Sequence, residues 1–203
     1  MRARWQPILA TLLALAGASA AAHNYPGVER LSPGKPFTLF AMKALLPDPK
    51  AGYRVGQIDF PPLRGEAVAF LVVDPGLTVD VAEALRFQKL VRTLHHSHAF
   101  LVAPPSRSQD PAALARHARE AGFTLPILVD DRDIFPFVFS LGMAESPRYE
   151  IFDRSWTLVL ESPSRLDQRI PGFGTVAQAL RRLDEGEPVE GAILSPAHSR
   201  PRR

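Results

Sequence analysis

Apolar positions along the chain fall into two alternating patterns, short continuous runs and helical stripes. Ala67 to Val73 is an unbroken apolar run between Gly65 and Pro75. Such a run predicts a strand covered on both faces. A tight turn follows from Asp74 to Asp80, with Asp80 as the candidate helix N-cap. Beyond it Phe87, Leu90, Val91 and Leu94 fall at i, i+3, i+4 and i+7, a single apolar stripe, with Arg86, Lys89 and Arg92 off it. His98 to Ala103 predicts a second buried strand, ended by Pro104-Pro105. Asp110 then caps a helix with Pro111 in its first turn, where a missing N–H costs nothing. That helix turns Leu114, Ala118 and Ala121 inward and stops at Gly122.

The pattern continues with a short strand over Leu125 to Val129 and an apolar helix over Ile134 to Leu141. Two strands, Arg148 to Phe152 and Trp156 to Glu161, flank a turn at Asp153-Arg154-Ser155. Thr175 caps a last helix carrying Val176, Leu180 and Leu183 inward, with Gly186 just past its end. Strand–helix alternation predicts an α/β fold. Its central sheet is mostly parallel, with helices on both faces and a C-terminal antiparallel hairpin. Residues 23–62 read as an irregular N-terminal arm. In it Phe37 to Met42 is a short strand that pairs with Arg54 to Phe60, and Pro47-Asp48-Pro49 is a turn.

The two ends carry a different signal. Arg2 and Arg4 precede an apolar stretch from Pro7 to Leu15, and small residues follow at Ala18-Ser19-Ala20 and Ala20-Ala21-Ala22. This is the pattern of a signal peptide over residues 1–22, which predicts a periplasmic or secreted protein with no stable membrane span after cleavage, a retained N-terminal anchor being the alternative. Residues 188–203 read as a disordered basic tail. The net charge of +3 comes from the ends. Without Arg2 and Arg4 the balance is +1, and without Arg200, Arg202 and Arg203 as well it is −2. A nearly neutral body gives no nucleic-acid footprint.

Three segments carry a family resemblance. Pro62-Leu63-Arg64-Gly65-Glu66 leads into the first buried strand. Leu125-Pro126-Ile127-Leu128-Val129-Asp130 and Glu145-Ser146-Pro147-Arg148-Tyr149-Glu150-Ile151-Phe152-Asp153 follow in order. Together they resemble the thioredoxin-like superfamily, in its redoxin branch of peroxiredoxins and thiol-disulfide proteins, over about Leu31 to Leu183, with the domain itself at 63–187. The resemblance implies a thioredoxin-like sheet and a cis proline at Pro147, with Ser146 offering its backbone to an extended peptide. It also implies catalytic cysteines at the start of the helix after the first core strand. Leu77 and Asp80 fall near those two positions, and Gly76 falls near the family's tryptophan.

The chain has no cysteine. Exchange and peroxide reduction both need a thiolate, which neither leucine nor aspartate supplies. The residues Asp74, Pro75, Gly76, Leu77 and Asp80 therefore read as a degenerate active-site loop. The expectation is an exported binding, scaffold or assembly-assisting module with no cofactor, no catalytic residues and an envelope protein as partner. One alternative is an accessory subunit of an envelope redox system.

The other alternative is a copper carrier built on histidines. His95-His96-Ser97-His98 sits at a helix-to-strand turn and reads as solvated, because successive strand residues point oppositely. His23 becomes a chelating N-terminus only if cleavage follows Ala22. Asp130, Asp131 and Asp133 lack calcium-loop spacing. The phenylalanine-rich stretch Ile134 to Phe139 reads as core, the alternative being that part of it forms an exposed partner-binding patch.

Overall fold

The computed structural model describes residues 41–104, 107, 110–129, 146–161, 165–170 and 174–189. The expected signal segment, His23, the aspartates at 130–133, the helix expected at 134–141 and residues 190–203 lie outside them. Nine strands and three α-helices follow in chain order among the described residues. They are β1 (Ala41–Asp48), β2 (Gly52–Asp59), β3 (Ala67–Val72), α1 (Thr78–Val91), β4 (Ser97–Val102) and α2 (Pro111–Glu120). After these come β5 (Ile127–Leu128), β6 (Arg148–Phe152), β7 (Leu158–Glu161), β8 (Arg169–Ile170), β9 (Gly174–Thr175) and α3 (Val176–Asp184).

Seven strands form one sheet in the order β2-β1-β5-β4-β3-β6-β7, and β8 and β9 form a separate antiparallel pair. The sheet is mixed rather than mostly parallel. Among the described residues only β3–β4 and β4–β5 run parallel, joined by the crossovers through α1 and α2 that parallel pairing requires. The pairs β1–β2, β1–β5, β3–β6 and β6–β7 are antiparallel. The expected terminal hairpin is β6–β7, its turn closing where Trp156 adopts a left-handed φ of 64°.

The N-terminal region differs from the sequence expectation. Residues 41–59 are a regular hairpin that enters the sheet through β1–β5, so the domain starts before residue 63. Pro47 is a strand residue opposite Tyr53, and the turn lies beyond it, where the Asp48 carboxylate accepts the Lys50 and Ala51 amides. A proline fits near a hairpin end, where a ladder donor is least needed. At the other end Val189 is buried in the core, so the folded body also runs past residue 187.

Alternation along β3 divides the interior into two layers. Ala67, Ala69, Leu71 and Val73 face Ala84, Phe87 and Leu90 of α1, Leu114 and Ala118 of α2, and Val176, Leu180 and Leu183 of α3. All three described helices thus cover one face. The opposite face, with Val68, Phe70 and Val72, is closed by aromatic rings. Phe60 stands 5.5 Å from Phe100 and 6.1 Å from Trp156, and Phe70 lies 5.7 Å from both Phe100 and Phe152. On this face Arg148 and Glu150 form a buried ion pair at 2.9 Å.

Helix ends follow local chemistry. Asp110 accepts the Ala113 amide with Pro111 beside it, as expected. Thr175 and Gln178 complete a reciprocal capping box on α3. Helix α1 is the exception. It begins at Thr78 with Leu77 in the N-cap position and no side-chain cap, which moves Asp80 inside the first turn. Leu94 falls beyond the end of α1.

Candidate functional site

The turn from Asp74 to Asp80 leaves the C-terminal end of β3 at the sheet centre. Because β6 runs antiparallel to β3 with Arg148 opposite Val72, the same edge receives Ser146 and Pro147. The Ser146–Pro147 peptide bond is cis. The structure therefore brings together both stretches singled out in the sequence.

Two carboxylates fix the turn from inside. Asp74 accepts the Gly76 amide at 2.7 Å and the Arg107 Nε at 2.9 Å. The Arg107 guanidinium lies against Gly76, where a Cβ would push it aside. Asp80 is 1 % exposed. It accepts the Asp74 amide at 2.6 Å and a hydrogen bond from the Ser146 side chain. Burial pushes the Asp80 carboxyl above its usual value, the charge of Asp74 adds to this, and the two hydrogen bonds oppose it. Asp80 is thus a structural acceptor joining the turn to the Ser146 segment, in place of the expected cap.

The outer side of the turn is apolar. Leu77 is 49 % exposed and Val79 is 70 % exposed, with Gly76 and Thr78 also facing solvent. In water Leu77 and Val79 forgo part of the roughly 1.5–3 kcal/mol that full burial of such a side chain provides. Neither residue contributes to the interior of the fold.

Farther down α1, Glu83 is buried and accepts the Tyr149 hydroxyl at 2.9 Å and the Leu166 amide at 2.7 Å. Burial, followed by the nearby Glu83, raises the Tyr149 phenol well above its ordinary value. Arg107, Glu83 and the Ser146 hydroxyl were missed in the sequence. Arg107 carries no periodic signal, and the other two contacts pair distant segments.

The histidine cluster serves the fold. The His95 and His96 backbone amides donate to the Asp184 carboxylate, at 2.9 and 2.7 Å. The His98 imidazole instead meets Glu66 at 2.9 Å and stacks on Phe100. No group of three or more histidine, aspartate or glutamate side chains suited to a metal occurs among the described residues. No described helix is long and apolar enough to cross a membrane.

No protein-family model matches this chain. No curated protein matches it. Solved structures do. A candidate protein disulfide isomerase from Bacteroides thetaiotaomicron superposes with a TM-score of 0.56 at 18% identity, covering 76% of this chain and 91% of that one. An uncharacterised conserved protein from Geobacillus kaustophilus gives 0.55 at 20% identity, covering 80% and 88%. A thiol-disulfide isomerase from Corynebacterium glutamicum gives 0.54 at 16% identity, covering 72% and 96%. These likenesses establish a thioredoxin-like α/β fold.

Proposed function

We propose that this chain is an exported, non-catalytic thioredoxin-like module that binds an envelope protein through the surface of Leu77, Val79 and the Ser146–Pro147 segment. The observation that carries the reading is the exposed apolar first turn of α1. It stands where the resemblance puts the active-site cysteines, on a turn held in place by Asp74 and Asp80. The chain has no cysteine, so it holds no thiolate for disulfide exchange. A rigid turn with solvated aliphatic side chains instead favours association, since docking removes that apolar area from water without a large ordering cost. The basic, then apolar, then small-residue order of the first 22 residues supports export.

The test places a photo-crosslinking residue at Val79, and separately at Lys89 on the exposed side of α1, in the full chain in envelope extracts. The expected result is a discrete adduct from position 79, absent from position 89 and weakened by Leu77→Asp. Equal labelling from both positions overturns the reading. So does turnover by the pure protein in insulin-reduction or peroxide-consumption assays.

A further inference from the structure

The outer strand β2 and the helix beside it offer a second surface. Among the described residues β2 pairs only with β1, so its outer row of amides and carbonyls is hydrogen-bonded to nothing there. It is eight residues long, and a strand edge of that length is a template for another extended segment. Beside it runs a groove of about 590 Å³ between β2 and α2.

The chemistry of this groove is specific. Its floor is Leu45, Tyr53 and Val55, and its wall is Ala112 and Ala115, with Arg116 and Arg119 along the same helix. Leu45 and Tyr53 are buried, yet Val55, paired with Leu45 in the register, is 58 % exposed. The aliphatic stem of Arg119 lies over Gly52. Arg116 and Arg119 are solvent-exposed, and neither enters an ion pair among the described residues. The acidic group lining the groove, Asp110, is already engaged with the Ala113 amide.

We propose that β2 and α2 form a docking site for an extended acidic peptide from another protein. The peptide adds to the sheet as a strand beside β2, and its backbone meets the unpaired amides and carbonyls. Because strand side chains alternate, every second residue of the peptide lies over the α2 side. Apolar residues there cover Val55, and acidic ones reach Arg116 and Arg119, whose guanidinium forks suit carboxylates. An open edge supplies the backbone contacts, and the two arginines select the sign of charge. This surface is separate from the turn at Asp74 to Asp80.

Fluorescence polarisation on the full chain tests the proposal with three labelled heptapeptide probes. In the first, every second residue is in turn glutamate, valine and glutamate, with threonine between them, so that one face carries both types. The second has lysine in place of glutamate, and the third is the first with N-methyl groups on its backbone amides. Saturable binding of the acidic probe alone is expected, with N-methylation abolishing it and Arg116→Glu with Arg119→Glu weakening it about tenfold. Both arginines are exposed, so circular dichroism of the double variant is expected to match the parent. Equal affinity for acidic and basic probes overturns the proposal. So does binding that survives N-methylation or the double variant. Sedimentation showing a stable dimer that excludes the acidic probe assigns the edge to a second copy of this chain, and likewise overturns it.

Discussion

The side chain of Ser146 hydrogen-bonds the buried carboxylate of Asp80, so the segment before β6 and the first turn of α1 meet at one acceptor. The Asp74 amide shares that acceptor. Asparagine keeps an oxygen for the amide and offers an NH2 to the serine oxygen, without a buried charge. Folding raises the Asp80 carboxyl pKa, mainly through burial. A carboxyl with a raised folded pKa contributes its stabilisation fully below the ordinary value of 3.8, and loses it as pH rises through the folded pKa. Asp80→Asn is therefore expected to raise the urea midpoint at pH 7, with the advantage shrinking toward pH 4. Asp80→Ala leaves the Asp74 amide without its acceptor and is expected to cost about 1–3 kcal/mol. Urea unfolding of both variants across pH checks this, and an Asp80→Asn midpoint below the parent's at pH 7 contradicts it.

Asp184 has the opposite sign. Burial pushes its carboxyl up, but the hydrogen bonds from the His95 and His96 amides outweigh that and hold it below its usual value. A depressed carboxyl contributes stability above the unfolded pKa and loses it as pH falls through the folded one. Asp184→Asn weakens the tie between α3 and the turn after α1. It is expected to lower stability by about 1–3 kcal/mol at pH 7. Thermal melts from pH 7 down to pH 3 are expected to converge for parent and variant, as both lose the charged acceptor.

Tyr149 and Glu83 join β6 to α1 through one buried hydrogen bond of 2.9 Å. Burial raises both the Tyr149 and Tyr53 phenols, the latter donating to the Leu125 carbonyl. Neither is expected to ionise in the folded protein near pH 10, and the stability this confers is lost at higher pH. Absorbance titration at alkaline pH is expected to show the same step around pH 10 in parent, Tyr53→Phe and Tyr149→Phe. Tyr149→Phe leaves Glu83 with one donor fewer and is expected to cost about 1–2 kcal/mol in urea unfolding.

The stretch from β3 to β5 was legible in the sequence because each element there answers to local rules. Ala67 to Val72 is buried on both faces, and Asp110 with Pro111 marks a helix start that depends on no distant partner. The thioredoxin-like fold followed from three short segments in order. The hairpin β1–β2 was only half visible, since Pro47 resembles a turn residue until its place opposite Tyr53 is known. Asp80 looked like a cap because aspartate commonly opens helices, but its acceptor role is set by Asp74 and by Ser146 in the distant segment before β6. A helix that starts on an uncapped leucine has no local signature. The mixed sheet was hidden for a related reason, because strand direction at the sheet margins depends on which neighbours pair.

The same two acids are expected to keep a sulfur introduced at this turn from becoming a reactive thiolate by itself. Leu77 sits at the N-cap of α1, where the helix dipole favours an anion. Asp80, in the first turn, and Asp74, salt-bridged to Arg107, lie three residues to either side of it in the sequence. A second anion there is disfavoured by the first. Leu77→Cys is therefore expected to give a thiol close to the ordinary value of about 8.5, the carboxylates offsetting the dipole. Adding Asp80→Asn removes one charge and is expected to lower that thiol by about half a unit or more. The rate of iodoacetamide alkylation against pH measures both. A Leu77→Cys thiol already well below the ordinary value, or one unmoved by Asp80→Asn, shows that the carboxylates do not govern this turn.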